Sequence, residues 1–417
     1  MTVPFAPPPL PEHTVWAEFL DLNLNPNGLI PYATITATLY YNAVGSWQIV
    51  LPYSDAVWNQ IMAGDFLVRV SWRGLFTFGG KCEQPSYTDS IPGATSGGSI
   101  AGSIAGPFII LSGADYTAIL ANRICFPDPT KAWTAQLPAS ADAVVNTPLE
   151  TAIKHYVAWN AGVSALSSRQ HPLLDIATDQ HRGPNVNYIV KFGSGVSLNL
   201  LDVIRAMITQ ANSPMGFSVV QNGNRLLFDV NYPLVDKSAS VWFSEYLGNL
   251  TSVNLSLNDP TCTDALVQGA PTMNPSSSPS FIQQVSSTMT AWNKVEQYLD
   301  NTSENDPNNL ATSANDTLFN GSVGPTLQVT TTDTPYVIYG RDYKIGDIVS
   351  VEVRAGVSYK DIVSGVTLIC DPSQDPVMNV IPVIGAGQDP TQSAKTINGQ
   401  LVHRIMAIER KLAKRGR

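Results

Sequence analysis

Between Asn224 and Gly269 the chain alternates apolar and polar residues, with turn residues breaking the alternation at short intervals. Leu226, Phe228 and Val230 alternate with Leu227, Asp229 and Asn231. After Gly248-Asn249, the residues Leu250, Val253, Leu255 and Leu257 keep a near period-2 rhythm. Successive side chains of a strand point to opposite faces, so this spacing calls for sheets with one face buried and the other wet or paired. The stretch offers no nucleophile–base pair and no metal-ligand cluster. It constrains the chain to a β scaffold and names no activity.

The same texture recurs on both sides. Residues 1–13 carry Pro4, Pro7, Pro8, Pro9 and Pro11 and read as an extended, polyproline-like arm. Strands are predicted over Val15–Leu24, Ile35–Tyr41, Trp47–Leu51, Phe66–Trp72 and Leu75–Lys81, with a turn at Asn25-Pro26-Asn27-Gly28. One short helix, Ser54–Met62, has Ser54 as its cap. This pattern predicts a first β-barrel over 14–111.

From Ser112 the composition changes, and 112–240 reads as an α+β insertion. Helices are predicted over Asp115–Ile124, Thr147–Trp159 and Ser197–Thr209. The second has Thr147 at the N-cap, Pro148 after it and Glu150 at N3, the arrangement of a capping box. A strand near Leu173–Thr178 and a hairpin turning at Asn222-Gly223 complete the region.

Residues 241–390 read as a second β-barrel, with a loop and helix insertion around 271–325. It would contain a strand pair within Phe281–Asp300, a helix over Asn308–Leu318, and strands over Thr326–Thr331, Tyr336–Tyr339, Asp347–Arg354 and Lys360–Cys370. Asp371–Ser393 reads mostly as linker, with one apolar stretch at Val377–Ile384. Within 391–417 a helix over Ala394–Lys414 places Leu401, Ile405, Ile408 and Leu412 at heptad spacing. So short a seam is marginal alone but suffices inside a preformed oligomer. These four are the candidate oligomerisation residues; packing of the helix on its own domain is the other reading.

A chain of 417 residues exceeds one ordinary core. Only 14% of its residues are charged, against about 25% in typical domains. That suits surfaces buried in an assembly, or extracellular exposure. The net charge of −9 argues against a tight grip on nucleic acid, which needs a basic patch to displace phosphate counterions. The one basic cluster is the tail, with Arg410, Lys411, Lys414, Arg415 and Arg417. An acidic balance suits a surface past which DNA slides without sticking, and equally suits solubility. Cys82, Cys125, Cys262 and Cys370 are far apart, without zinc-finger spacing. Buried free thiols are expected, with a disulfide left open. MTVPFAPPPLPEH lacks the regions of a signal peptide. Gly97–Leu120 is too rich in Gly and Ser to span a membrane.

No motif supplies chemistry. His171 and His181 flank Asp175 and Asp179, the one cluster with any metal-like spacing, in a segment that reads as a polar turn. Ser112 and Ser244 lack the small-residue elbow of a nucleophile. Glu245, Asp259 and Asp264 sit at strand ends and turns, where capping or solvation explains them. Trp16, Trp47, Trp58, Trp72, Trp242 and Trp292 read mostly as core rather than as a sugar platform. No catalytic residue, cofactor site or metal site is expected.

Several segments together resemble the minor tail proteins of long-tailed phages that infect actinobacteria, a siphovirus class of tail-associated (Tal-like) baseplate-hub proteins. They are LSGADYTAILANRICFPDP (Leu111–Pro129), ETAIKHYVAWNAG (Glu150–Gly162), the Leu173–Gly183 turn, SLNLLDVIRAM, GFSVVQNGNRLLFDV, VWFSEYLGNLTSVNLS and TDALVQG. WNKVEQYLD (Trp292–Asp300) and YGRDYKIGDIVSVEV (Tyr339–Val353) are similar too. The family often carries an Arg-rich version of the Trp292 segment, where this chain has Asn293 and Lys294.

The resemblance implies a β-rich α+β fold: two tube-like β-barrel domains with an inserted α+β region and a C-terminal helix. It implies a structural hub in the virion, at the tail tip. A homotrimer would place six barrels around the tail axis and adapt a sixfold tail to a threefold tip. Implied partners are the distal tail protein, the tape-measure protein and other minor tail proteins, passing viral DNA without specific binding, and the host cell surface indirectly. The alternative is a tail-tip adhesin binding a host cell-wall receptor, and a third reading is a cell-wall hydrolase. No membrane-spanning segment is expected.

Overall fold

The computed structural model describes residues 15–88, 107–192, 197–211, 213–257, 259–270, 281–301, 307–321, 325–331, 333–354, 357–372 and 378–385. The chain begins with β1 (Val15–Leu20), β2 (Pro26–Ile30), β3 (Thr34–Tyr40), β4 (Ser46–Pro52), α1 (Asp55–Met62), β5 (Leu67–Trp72), β6 (Phe76–Lys81), β7 (Gln84–Thr88) and β8 (Phe108–Ala114). Its middle holds α2 (Ala118–Ala121), β9 (Ala141–Pro148), α3 (Leu149–Asn160), β10 (Leu174–Ile176), β11 (Asn185–Lys191), α4 (Leu200–Gln210), β12 (Gly216–Asn222) and β13 (Arg225–Asn231). The last part comprises β14 (Trp242–Phe243), β15 (Leu250–Leu257), β16 (Asp264–Gln268), β17 (Phe281–Val285), β18 (Glu296–Asp300), α5 (Pro307–Gly321), β19 (Pro325–Thr331), β20 (Ile348–Arg354), β21 (Val357–Cys370) and β22 (Met378–Gly385).

A ten-stranded sheet organises these elements. Its path runs β15-β19-β22-β21-β3-β4-β8-β7, with β20 paired to β21 and β14 to β20. β21 lies antiparallel to β3, from Gly365 opposite Tyr40 to Cys370 opposite Ile35. That contact fuses the first strand block to the last. A four-stranded sheet, β2-β1-β5-β6, shares the same core. Phe19, Trp47, Trp72 and Leu111 from the first block and Phe243, Tyr343, Val349 and Leu368 from the last belong to one buried cluster. The β-rich α+β class expected from the sequence holds. Among the described residues the path of the long sheet ends at β15 and β7 without closing on itself. β6 runs so close to its neighbours that a Cβ on Gly80 would sit 1.9 Å from the Ala114 carbonyl oxygen.

The middle region has its own core. α3 and α4 bury Ile153, Tyr156, Leu200 and Ile204 against Phe217 and Phe228 of the β10-β13-β12 sheet and Val186 and Val190 of the β11-β9 pair. The predicted hairpin forms, with Gly223 at φ 62 supplying the left-handed turn residue. A third, small unit packs α5 on the β17-β16-β18 sheet through Ala265, Val267, Leu310 and Ala314. α1 starts as expected, with Ser54 Oγ accepting the Val57 N–H at 3.3 Å.

Several local expectations fail for identifiable reasons. The turn expected at Asn25–Gly28 falls earlier, because the Asp21 carboxylate accepts the Asn23 and Asn25 N–H groups, both at 2.8 Å. Leu24 takes φ 64 there, which leaves Pro26–Ile30 as an edge strand. The helix expected over Asp115–Ile124 shrinks to Ala118–Ala121, since Ile124 is drawn into a bridge with Asn199. The capping box does not form. Thr147 is committed to β9, opposite Val186, and Pro148 occupies the N-cap without a side-chain bond. Val377–Ile384, expected as an apolar stretch with no strand assigned inside a mostly linker region, contains most of β22, which lies between β19 and β21. Its Pro382 faces Val366, just before the short ladder to β19 begins at Val383. Tyr336–Tyr339 is no strand; Asp333 ties it into a turn by accepting the Tyr339 N–H at 3.0 Å and the Tyr343 hydroxyl at 2.8 Å.

Candidate functional site

The residue groups that had any claim to chemistry are not assembled for it. Asp175 is held by Arg225, whose Nη2 lies 2.7 Å from it. His181 Nδ1 lies 3.2 Å from Asp179 and 3.0 Å from Thr151 Oγ1. His171 takes no part in that contact, and no cluster suited to a metal ion occurs among the described residues. Ser112 Oγ donates to the Gln84 carbonyl at 3.3 Å, and the buried Ser244 Oγ accepts the Leu247 N–H. Glu245 and Asp259 are exposed, whereas Asp264 is buried, accepting from Gln283 at 2.8 Å and facing Lys294 at 3.5 Å. All four cysteines are free and buried, and burial pushes the Cys82 thiol up to about 11. Trp47 and Trp72 are core, but Trp292 is 100% exposed and Trp16 and Trp242 are partly so. Leu401, Ile405, Ile408 and Leu412, the basic tail and the proline arm lie outside the described residues.

What the structure does assemble is a broad face poor in charge. Along the path β15-β19-β22-β21-β3-β4-β8-β7 the strands read LTSVNLSL, PTLQVTT, MNVIPVIG, VSYKDIVSGVTLIC, TITATLY, SWQIVLP, FIILSGA and QPSYT. Their charged residues are Lys360 and Asp361, both in the first half of β21. Pairing lines up hydroxyls and amides on the outward side. Thr38 stands opposite Thr367 on one flank and Ser46 on the other, and Thr36 stands opposite Gln48, which meets Ser112, which meets Gln84. The intervening Ala37, Trp47, Ile49, Leu111 and Leu368 point into the core. A groove of about 530 Å³ runs along this face, lined by Thr36, Thr38, Gln48 and Ser112 and by one carboxylate, Glu83. Such a wall hydrogen-bonds to what passes it, but the one exposed cation of its strands, Lys360, is too few to displace counterions along a polyanion.

The middle region is pinned beside this sheet at the turn after β3. The Asn42 side chain donates to the Met215 carbonyl and accepts the Phe217 N–H, each at 3.0 Å. Tyr41 OH donates to the Pro214 carbonyl at 2.5 Å, and Arg205 Nε to the Asn42 carbonyl at 2.8 Å. The region's own interior turns on Glu150. This fully buried carboxylate receives Arg182 Nε at 2.8 Å and Lys154 Nζ at 2.7 Å. Burial pushes its pKa up, but the bonds from Arg182 and Lys154 outweigh that and hold it at about 2. Sequence reasoning placed Glu150 at a helix cap and missed this role, because Arg182 is far away in the chain.

The fold is similar to that of a solved phage tail protein. The chain has a TM-score of 0.52 with the 43 kDa tail protein of prophage MuSo2 from Shewanella oneidensis, at 10% identity, over 89% of this chain and 97% of that one. A tail protein from Neisseria meningitidis gives 0.48 at 11% identity, over 89% and 96% of the two chains. Prophage tail protein gp18 from Listeria monocytogenes gives 0.44 at 14% identity, over 96% and 99%. No curated protein matches the chain. The chain belongs to the Siphovirus ReqiPepy6 Gp37-like protein family, whose model matches residues 15–386. The family relationship expected from the sequence is thereby borne out. Among the described residues no helix is long and apolar enough to cross a membrane.

Proposed function

We propose that this chain is a structural component of the siphovirus tail tip, a hub that turns the charge-poor face of its long sheet toward the tail channel. The observation that carries this reading is the face itself. Eight paired strands hold one lysine and one aspartate between them. DNA and the tape-measure protein would move along hydroxyl and amide side chains, without ionic traps. In this reading three copies surround the axis, and the two strand blocks of each supply six barrel-like walls that match a sixfold tail to a threefold tip. The distal tail protein would dock on one side, and the host-attachment parts on the other. Leu401, Ile405, Ile408 and Leu412 would form an axial threefold seam, so Leu401→Asp or Ile408→Asp should block assembly. The function is assembly and passage, with no bond-making step.

Cryo-electron microscopy of the intact tail tip tests the proposal. Three copies around the axis, with Thr36, Thr38 and Gln48 facing the lumen, are expected. A position away from the axis, six copies, or a lumen lined by another face would refute it.

A further inference from the structure

β1 lies antiparallel to β5, with Val15 opposite Trp72. The residues before Val15 therefore leave the fold beyond Trp72, beside the Arg73-Gly74-Leu75 turn that joins β5 to β6. Their point of departure is fixed, because Tyr32 OH donates to the Val15 carbonyl at 2.6 Å. A turn from the last strand block lies against the same place. Arg73 Nη1 stands 3.7 Å from Asp333. Phe76, opposite Trp72 on β6, meets the Tyr339 ring edge-on at 5.0 Å and 88°. A Cβ on Gly340 would come within 3.2 Å of Leu75 Cβ.

That second turn is braced from within. Thr334 and Val337 exchange both backbone hydrogen bonds at 3.1 Å, which puts Pro335 and Tyr336 at the tip. Asp342 accepts from the Ile338 N–H and from the Arg341 guanidinium, each at 2.8 Å. Arg341 also donates to the Pro335 and Tyr336 carbonyls, at 3.4 and 3.5 Å. Tyr336 is nevertheless 88% exposed, with Pro335 exposed beside it, and Leu75 and Phe76 are half-buried. An aromatic ring held out on so firm a turn meets a partner without first losing loop entropy.

We propose that the proline arm of each chain docks on its own Tyr336 turn and straps the first strand block to the last. A polyproline helix turns once in three residues, so Pro4, Pro7 and Leu10 line one edge of the arm and Phe5, Pro8 and Pro11 another. Such a helix has no internal hydrogen bonds, loses little entropy on binding, and is recognised by exposed aromatic rings. Tyr336, with Leu75 and Phe76 nearby, supplies them. At about 3.1 Å per residue, the stretch from Pro11 back to Pro4 runs from about 12 to about 34 Å beyond Val15. That carries it past the β5–β6 turn and along the turn that holds Tyr336. The arm of the same chain is the occupant because it leaves the fold at this surface, and tethering gives it a high effective concentration there. The inference does not depend on where the chain sits in the tail.

Oxidative cross-linking of the full chain tests it, since the four native cysteines are buried. Ala6→Cys is combined with Pro335→Cys, which leaves every proline of the arm and the Tyr336 ring in place. The control combines Ala6→Cys with Val163→Cys, a site 81% exposed in the middle region. Under mild oxidation the first pair should form a disulfide within one chain about tenfold faster than the control pair, at a rate independent of protein concentration. Adding Tyr336→Ala should bring that rate down to the control level, and so should replacing Pro7, Pro8 and Pro9 by glycine. Tyr336 and Pro335 are on the surface and the arm lies outside both cores, so these variants remain folded and informative. The proposal is overturned if the first pair reacts no faster than the control, if Tyr336→Ala leaves its rate unchanged, or if the disulfide joins two chains, which would make the occupant a neighbour's arm.

Discussion

Asp361 offers a direct test of how the long sheet tolerates a buried acid. It stands on β21 opposite Val349, on the same side of the strand as the core residues Tyr359 and Val363, and is 7% exposed. Its Oδ1 accepts the Ile362 N–H at 2.7 Å. Burial, only partly offset by that bond, pushes its pKa from 3.8 up to about 7. The folded state therefore holds the proton more tightly than the unfolded chain does. The stability this group confers is complete below the unfolded value and is lost as pH rises through the window from 3.8 to about 7. Each pKa unit corresponds to about 1.4 kcal/mol, so ionising Asp361 costs at most about 4 kcal/mol. Asp361→Asn keeps the shape and an acceptor for Ile362 but removes the proton equilibrium. Urea midpoints measured from pH 4 to pH 8 on both proteins should diverge. Wild type should lose about 4 kcal/mol relative to the variant across that range. Asp333, which burial also pushes up, to about 6, is present in both proteins and cancels. A difference curve that stays flat, or that rises with pH, would show that Asp361 is hydrated or paired and would refute the reasoning.

Glu150→Gln should cost about 3 kcal/mol, because it leaves Lys154 and Arg182 with only the half-exposed Asp229, at 3.2 and 3.8 Å, as counter-charge; urea unfolding at pH 7 measures it. Since the folded Glu150 sits at about 2, its contribution should persist down to about pH 4.5 and then disappear as pH falls toward 2. Gly80→Ala should destabilise by about 3 kcal/mol or more, given the 1.9 Å approach of its Cβ to the Ala114 carbonyl, and a melting temperature equal to wild type would contradict that packing. Thr36→Lys combined with Gln48→Lys should leave stability within about 0.5 kcal/mol. It should also create a salt-sensitive affinity for duplex DNA that the parent lacks, read by gel shift at low salt.

Some of this fold is legible in sequence because the determinants are local. Asn222-Gly223 sets a hairpin by itself, and Ser54 starts a helix by itself. Where a residue has two competing partners, local rules choose wrongly. Thr147 could cap a helix, but the ladder from β9 to β11 claims it, and Glu150 then turns inward to a cation on another segment. Pro376 and Pro382 disguise β22 as linker, although the latter merely stands where one flank of the strand has no ladder. The surface around Tyr336 is invisible for the same reason. Leu75, Phe76 and Tyr336 reach one place only after Arg73 meets Asp333 and Phe76 meets Tyr339 across the two strand blocks.

The charge-poor face shows how composition and topology divide the information. A charged content of 14% already says that some surface must lack ions, but not which one. That is decided when β21 pairs with β3, bringing Thr367 to within 3.5 Å of Thr38 across 329 positions of sequence. The stretch from Asn224 to Gly269 makes the same point from inside. Its alternation is clean in β13, yet β13 belongs to the middle sheet, β14 and β15 to the long sheet, and β16 to the small sheet against α5. Period two specifies that a segment will be a strand with two unlike faces. Which sheet it joins depends on partners far along the chain, and so, therefore, does what its wet face will meet. A function that resides in a wall is encoded in that choice of partners, which is why no motif within any one strand announces it.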